Sequence, residues 1–304
     1  MRVVLNEKYG FIDTTGVEIT PLKYDDAGRF VNGMASVEKK GKCGFINKTG
    51  KLVVPIKYDF VSEFSFEGLA SVEKKGKFGF VDKTGKEVIP PKYEEVGDLF
   101  EGWIRAKLNG RYGYIDKTGE VVIPFKYDLV AHNFAEDLTG VQLGGKWGYI
   151  DRNGGLVIPY KYEGARNFID GLAAVSINGK CGFINKADEV IIPFKYSFVH
   201  TFVEGLVAVS LNGKSGFVDI EDRNIIPLKY DYVSDFRNGL STVQLDGKWG
   251  CIDKKGNEVI PVKYDDMGFF TDGVMRVRFD KKTFWLDLSG NEYQTKEEAQ
   301  RGAK

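Results

Sequence analysis

Cysteine and histidine are scarce in this 304-residue chain, at three and two respectively. The cysteines, Cys43, Cys181 and Cys251, are odd in number and form no C-x-x-C pair. That excludes a disulfide framework and a cysteine-rich zinc site. The histidines, His132 and His200, each stand two residues before a phenylalanine and lie near no Cys or Ser constellation. Net charge is absent too: 43 Lys and Arg balance 43 Asp and Glu, so no overall field favours nucleic acid or an anionic membrane. No 18 apolar residues sit together, and the N-terminus "MRVVLNEKYG" has no apolar run of signal-peptide length. The chain reads as soluble, with the cytoplasm favoured and no membrane insertion. It lacks a G-x-G-x-x-G opening a helix, a Walker motif and His-rich metal spacing. Acid pairs such as Asp25-Asp26 and Asp265-Asp266 are adjacent, and neighbours on a strand point to opposite faces. The expectation is a protein with no catalytic residues, no metal and no cofactor, and not an enzyme.

What the chain has in quantity is glycine, 37 residues, and aromatics, at 13%. Glycine supplies positive φ in tight turns and aromatic rings suit a half-buried pleated surface, so the class reads as all-β. A glycine followed by an aromatic recurs at Gly10, Gly44, Gly79, Gly113, Gly148, Gly182 and Gly216, and Gly250 keeps the same step of 34 or 35 residues. Pro21, Pro55, Pro90, Pro124, Pro159, Pro193, Pro227 and Pro261 keep it as well, and Phe284 stands where a ninth glycine would fall. Eight repeats and a partial ninth fill the chain. A period of this length marks an array whose members bury their apolar faces against one another.

Each repeat has readable parts. In "LVAVSLNGKSGFV", residues 206–218, two alternating runs flank Asn212-Gly213, the strongest short-range signal for a hairpin with a type I′ turn. The second strand ends in a D-K-T-G turn, as at Asp82 to Gly85, where the aspartate can accept backbone N–H groups. Asp188 and Asp222 replace that glycine in two repeats, an exchange Asp tolerates. A third strand such as "EVIP" follows, stopped by its proline, and then an unvarying Lys-Tyr. The remaining D-x-V-x-x-F-x-x-G-L segment fits either a fourth short strand or a packed loop.

The unit G-K-W-G-[FY]-I-D-K-x-G-x-x-V-I-P-x-K-Y-D-x-V-x-x-F-x-x-G-L-A-x-V resembles the WG, or KWG, repeat of bacterial proteins, from Val3 to about Tyr293. The resemblance implies a β-rich, non-catalytic module that mediates interactions. Its tryptophan survives only at Trp147 and Trp249, with Tyr9, Phe78, Tyr112 and Ser215 elsewhere, as suits a packing position. Residues 1–293 are expected to form one repeat domain and residues 294–304 a polar tail, frayed or capping the array as a short helix. Thirty-four residues is short for a propeller blade and nine hairpins exceed the usual eight blades. An open, curved or superhelical array of three-stranded repeats is therefore favoured over a closed β-propeller.

Three polar positions recur in every repeat: the Lys or Arg before "WG", the Asp or Asn after it, and the lysine of Lys-Tyr. A catalytic group is needed once, so recurrence argues for structure, the lysines laying their stems over apolar surface. Function is sought where the pattern breaks. Residues 99–140 carry Trp103 and Arg105 in "GWIRA", an extra residue near Ala131-His132, and Asp137 in place of a glycine. Trp and Arg are enriched at binding hot spots, so Trp103, Arg105, His132 and Asp137 are the expected partner-binding residues. The expected function is a scaffold that binds another protein, as an accessory or regulatory arm of a larger system, since the chain starts inside a repeat as a fragment would. A cell-envelope glycan binder is the alternative.

Overall fold

The hairpin turns take the conformation their residues demand. Asn109 and Gly110 have φ of 52° and 75°, and Asn212 and Gly213 have 52° and 77°, the paired left-handed geometry of a type I′ turn. Lys75-Gly76, in the "EKKGK" segment, does the same at 54° and 70°. The structure, a computed structural model, describes residues 1–268 and 270–302.

One repeat shows the pattern of the rest. Strands Leu69–Lys74 and Lys77–Asp82 pair from Leu69↔Asp82 to Lys74↔Lys77. Glu87–Tyr93 adds on the far side of the second strand, and the two-residue strand Phe60–Val61 adds on the near side of the first. The D-x-V segment thus supplies a fourth strand beyond the three expected, and the sheet is an antiparallel meander in chain order. Among the described residues no sheet closes on itself. The first sheet has three strands, Arg2–Leu5, Lys8–Ile12 and Glu18–Tyr24.

The proline does not end its strand. Pro55 sits inside Leu52–Tyr58, where the register jumps from Phe45↔Val54 to Cys43↔Tyr58. The extra residues bulge outward on the edge strand, which needs no N–H from proline there. The bulged backbone crosses close above the repeat glycine: a Cβ on Gly44 would lie 2.4 Å from the Val54 carbonyl oxygen, and one on Gly79 would lie 2.3 Å from that of Ile89. That contact explains why the glycine recurs where its tryptophan neighbour does not.

By packing, the chain divides into two compact units, Met1–Leu156 and Val157–Lys304. In each, the core lies between consecutive sheets. Phe45, Val54 and Tyr58 of one sheet meet Val61, Val72 and Val81 of the next in the N-terminal unit, as Phe217, Ile226 and Tyr230 meet Val233, Val243 and Ile252 in the other. All eight tyrosines of Lys-Tyr are at most 2% exposed, hence their constancy. In the polar tail, residues Lys296–Gly302 form a helix, with Ala299 buried. Its start is a capping box, Glu298 N–H donating to Thr295 Oγ1 at 3.2 Å and Thr295 N–H to Glu298 Oε2 at 3.3 Å. Residues 303 and 304 of that tail lie outside the described residues. Among those described, no helix is long and apolar enough to cross a membrane.

Candidate functional site

The recurring polar groups are used within the chain. The Lys or Arg before "WG" meets the acid after Lys-Tyr: Lys8–Asp25, Lys42–Asp59, Lys77–Glu94, Arg111–Asp128, Lys214–Asp231 and Lys248–Asp265. The same acids accept an N–H from the hairpin turn, as Asp59 does from Lys75 at 2.6 Å and Glu94 from Gly110 at 2.9 Å. Each acid therefore fastens the next hairpin. The Lys8 ammonium beside Asp25 and the Lys42 ammonium beside Asp59 hold those carboxyls below the ordinary range. The Asp or Asn after "WG" folds into its own turn: Asp13 Oδ1 accepts Thr15 N–H at 2.8 Å and Val17 N–H at 2.9 Å.

In four repeats the Lys-Tyr pair ties one repeat to an acid of the next. Tyr58 Oη and Lys57 Nζ both donate to Glu87 Oε1, at 2.7 and 2.8 Å. Lys263 and Tyr264 do the same with Glu292, Lys161 and Tyr162 with Asp188, and Lys195 and Tyr196 with Asp222. Burial and then the Asp222 carboxylate push the Tyr196 phenol up to about 12. Asp188 and Asp222, at φ of 66° and 62°, thus convert a glycine position into an inter-repeat tie. Tyr93 has no such acid ahead of it, and its buried hydroxyl has no hydrogen-bond partner among the described residues.

The irregular residues come together in the N-terminal unit. Trp103 packs on Phe134 with ring centroids 5.1 Å apart and on Tyr114 at 6.1 Å, while Tyr114 meets Phe134 at 5.4 Å. Arg152 lies 5.2 Å above the Phe134 ring, its Nε donating to Asp137 Oδ1 at 2.9 Å and its NH2 group to Glu101. Asp137 keeps the positive φ of the glycine it replaces, 68°, and there its carboxylate reaches Arg152. The Tyr114 hydroxyl reaches the segment with the extra residue, donating to the Ala131 carbonyl at 2.8 Å and contacting Thr139 Oγ1. Trp103, Arg105 and His132 line one dimple of about 10 Å³, room for about one water. Arg105 also covers the Tyr112 ring at 5.4 Å. The cluster is a filled, charge-rimmed surface with no cavity for a small ligand.

Sequence reasoning missed three side chains here. Phe66 is 98% exposed and Phe100 44%. They border turns joined by Glu67 Oε1, which accepts Gly102 N–H at 3.4 Å. Arg152, which joins Glu101 to Asp137, occupies an ordinary turn position with no irregularity to mark it. A second feature passed unremarked in the C-terminal unit. The residue after the repeat glycine is aromatic in seven repeats, whereas Cys251 holds that place in "GKWGCID", and beside it opens a cavity of about 390 Å³. The non-aromatic residue was the available signal. Among the described residues no group of three or more His, Cys, Asp or Glu side chains is placed to hold a metal ion.

The model of the WG containing repeat matches eight times, at residues 9–43, 44–78, 78–112, 112–147, 147–181, 182–214, 216–249 and 249–282. No curated protein matches the chain. Among solved structures, a eukaryotic initiation factor aligns at 11% identity and TM-score 0.45, over 84% of this chain and 82% of that one. Hsv2 of Kluyveromyces lactis aligns at 12% and 0.41, over 75% and 92%. PorZ, a surface component of the type-IX secretion system of Porphyromonas gingivalis, aligns at 12% and 0.31, over 97% and 51%. None of these structural likenesses is close enough to carry an argument.

Proposed function

The chain belongs to the family of WG containing repeat proteins, and from that premise we propose that it is a non-enzymatic scaffold that binds another protein through its N-terminal unit. One observation carries the reading. Most of the charges that recur from repeat to repeat pair within the chain, and the non-repeating residues Trp103, Arg105, His132 and Asp137 gather around Arg152 beside the exposed rings of Phe66 and Phe100. A rigid aromatic cluster rimmed by arginine is the composition of an interface hot spot. The balance of 43 basic and 43 acidic residues, with many of the recurring lysines ion-paired, supports a partner other than a polyanion.

The test compares native chain with the double variant Phe66→Ser, Phe100→Ser, both at exposed positions, as immobilised bait for proteins of the source cell. Expected is a protein retained by the native chain and lost with the double variant. Retention of the same proteins by both baits would remove this surface from the proposal. A second reading, glycan binding, rests on Phe60, Phe198 and Tyr232, which recur at one repeat position and are 50%, 45% and 43% exposed. Retained polysaccharide without protein would favour it.

A further inference from the structure

In most repeats the ring after the repeat glycine meets the linker phenylalanine of the following segment. Centroid distances are 4.9 Å for Phe11–Phe30, 4.7 Å for Phe45–Phe64, 5.1 Å for Phe183–Phe202 and 4.6 Å for Phe217–Phe236. Cys251 leaves Phe270 without that ring, and Leu240 stands where the other junction has Trp103. The resulting cavity of about 390 Å³ falls within the usual range for small-molecule sites, roughly 300–1,000 Å³. Burial pushes the Cys251 thiol up to about 11, so it remains a neutral, apolar part of the wall.

The polar wall carries one carboxylate, Asp235, and one guanidinium, Arg237, which differ in their pairing. His200 Nδ1 lies 3.0 Å from Asp235 Oδ1, so the carboxylate already has a donor, and Nε2 is left for another partner. Arg237 lines the same cavity and makes no ion pair among the described residues. A cavity with a ring-sized apolar part, a carboxylate engaged by His200 and a guanidinium without an ion pair suits one ligand class. We propose that it binds a small organic anion built on one planar ring. The ring takes the place of the missing aromatic side chain against Phe270 and Cys251, and the carboxylate or phosphate meets Arg237. This site lies wholly in the C-terminal unit and does not depend on the protein-binding proposal.

The experiment titrates the full chain with 4-fluorobenzoate, followed by fluorine NMR, and with phenyl phosphate in competition. Saturable binding is expected, with dissociation constants of about 1 mM or tighter for simple probes. Cys251→Phe, which restores the ring, is expected to weaken binding at least about tenfold, and Arg237→Gln to weaken 4-fluorobenzoate about tenfold while leaving uncharged fluorobenzene within about twofold. The exposed Arg237 position keeps the test open if Cys251→Phe fails to fold. No saturable binding of either probe, unchanged binding to folded Cys251→Phe, or equal loss of both fluorinated probes with Arg237→Gln would each overturn the proposal. Whichever of benzoate and phenyl phosphate binds tighter identifies the anionic group.

Discussion

The junction around Trp103 and the junction around Cys251 use the same repeat positions, yet one leaves about 10 Å³ and the other about 390 Å³. Trp103 corresponds to Leu240, Tyr114 to Cys251 and Arg152 to Leu288. Every exchange removes volume or a long side chain from the second junction. Strand order is the same in both sheets, although the leading strand is longer before Trp103, Glu95–Phe100, than before Leu240, Tyr232–Val233, so the repeat supplies a frame whose inter-sheet junction can be plugged or hollowed chiefly by three side chains. A surface for a macromolecule and a pocket for a small molecule can thus arise from one repeat pattern and one strand order.

The largest effect should come from emptying the plugged junction. Trp103→Ala removes the ring that contacts both Tyr114 and Phe134 and should cost about 3 kcal/mol, read by denaturant unfolding. A loss below about 1 kcal/mol would mean that the ring is dispensable to the packing there. The converse, Cys251→Phe, should gain about 1–2 kcal/mol by filling the hollow junction. A melting temperature lowered by this change would show that the cavity cannot hold the ring its neighbours carry.

A smaller comparison sets tied repeats beside an untied one. Val121 stands where Glu87 and Glu292 stand in their own repeats, so Val121→Glu should offer a carboxylate to Lys92 and to the unpartnered Tyr93 hydroxyl. The expected gain is about 1 kcal/mol, and Glu87→Gln should lose about as much. Equal and opposite shifts in denaturant midpoint check the pair; a destabilised Val121→Glu would deny that the tie is transferable.

The least effect concerns acid. Asp25, Asp59, Asp231 and Asp265 are held below their ordinary pKa of 3.8, first by their lysine partners. Depressed carboxylates contribute stability that is present above the unfolded value and lost as pH falls through the folded one. Melting temperature should be level from about pH 8 to about pH 5 and fall below about pH 4. Asp59→Asn should flatten part of that fall; an unchanged acid limb would assign it to other carboxylates.

Much of the local structure was legible because it is encoded within a few residues. Asn109-Gly110 turns as its φ preferences require, and Asp82 folds into the turn it begins. The proline was misread as a strand end, since sequence does not reveal that two strands can shift register around it. The candidate surface was half legible: Trp103, Arg105, His132 and Asp137 broke the repeat and so drew attention. Phe66, Phe100 and Arg152 did not, because exposure and convergence are properties of neighbouring segments.

By itself the sequence determined the period, the hairpins, the Asx turns and the all-β class, each set by backbone preferences and alternation over a few residues. Only the tertiary structure decided which acid answers which Lys-Tyr pair, which rings fill a junction, and where one was left open. Those contacts join residues far apart in sequence, as Tyr58 joins Glu87 across 29 positions and Arg152 joins Glu101 across 51. They come into being when one sheet packs on the next, bringing distant side chains within hydrogen-bonding reach.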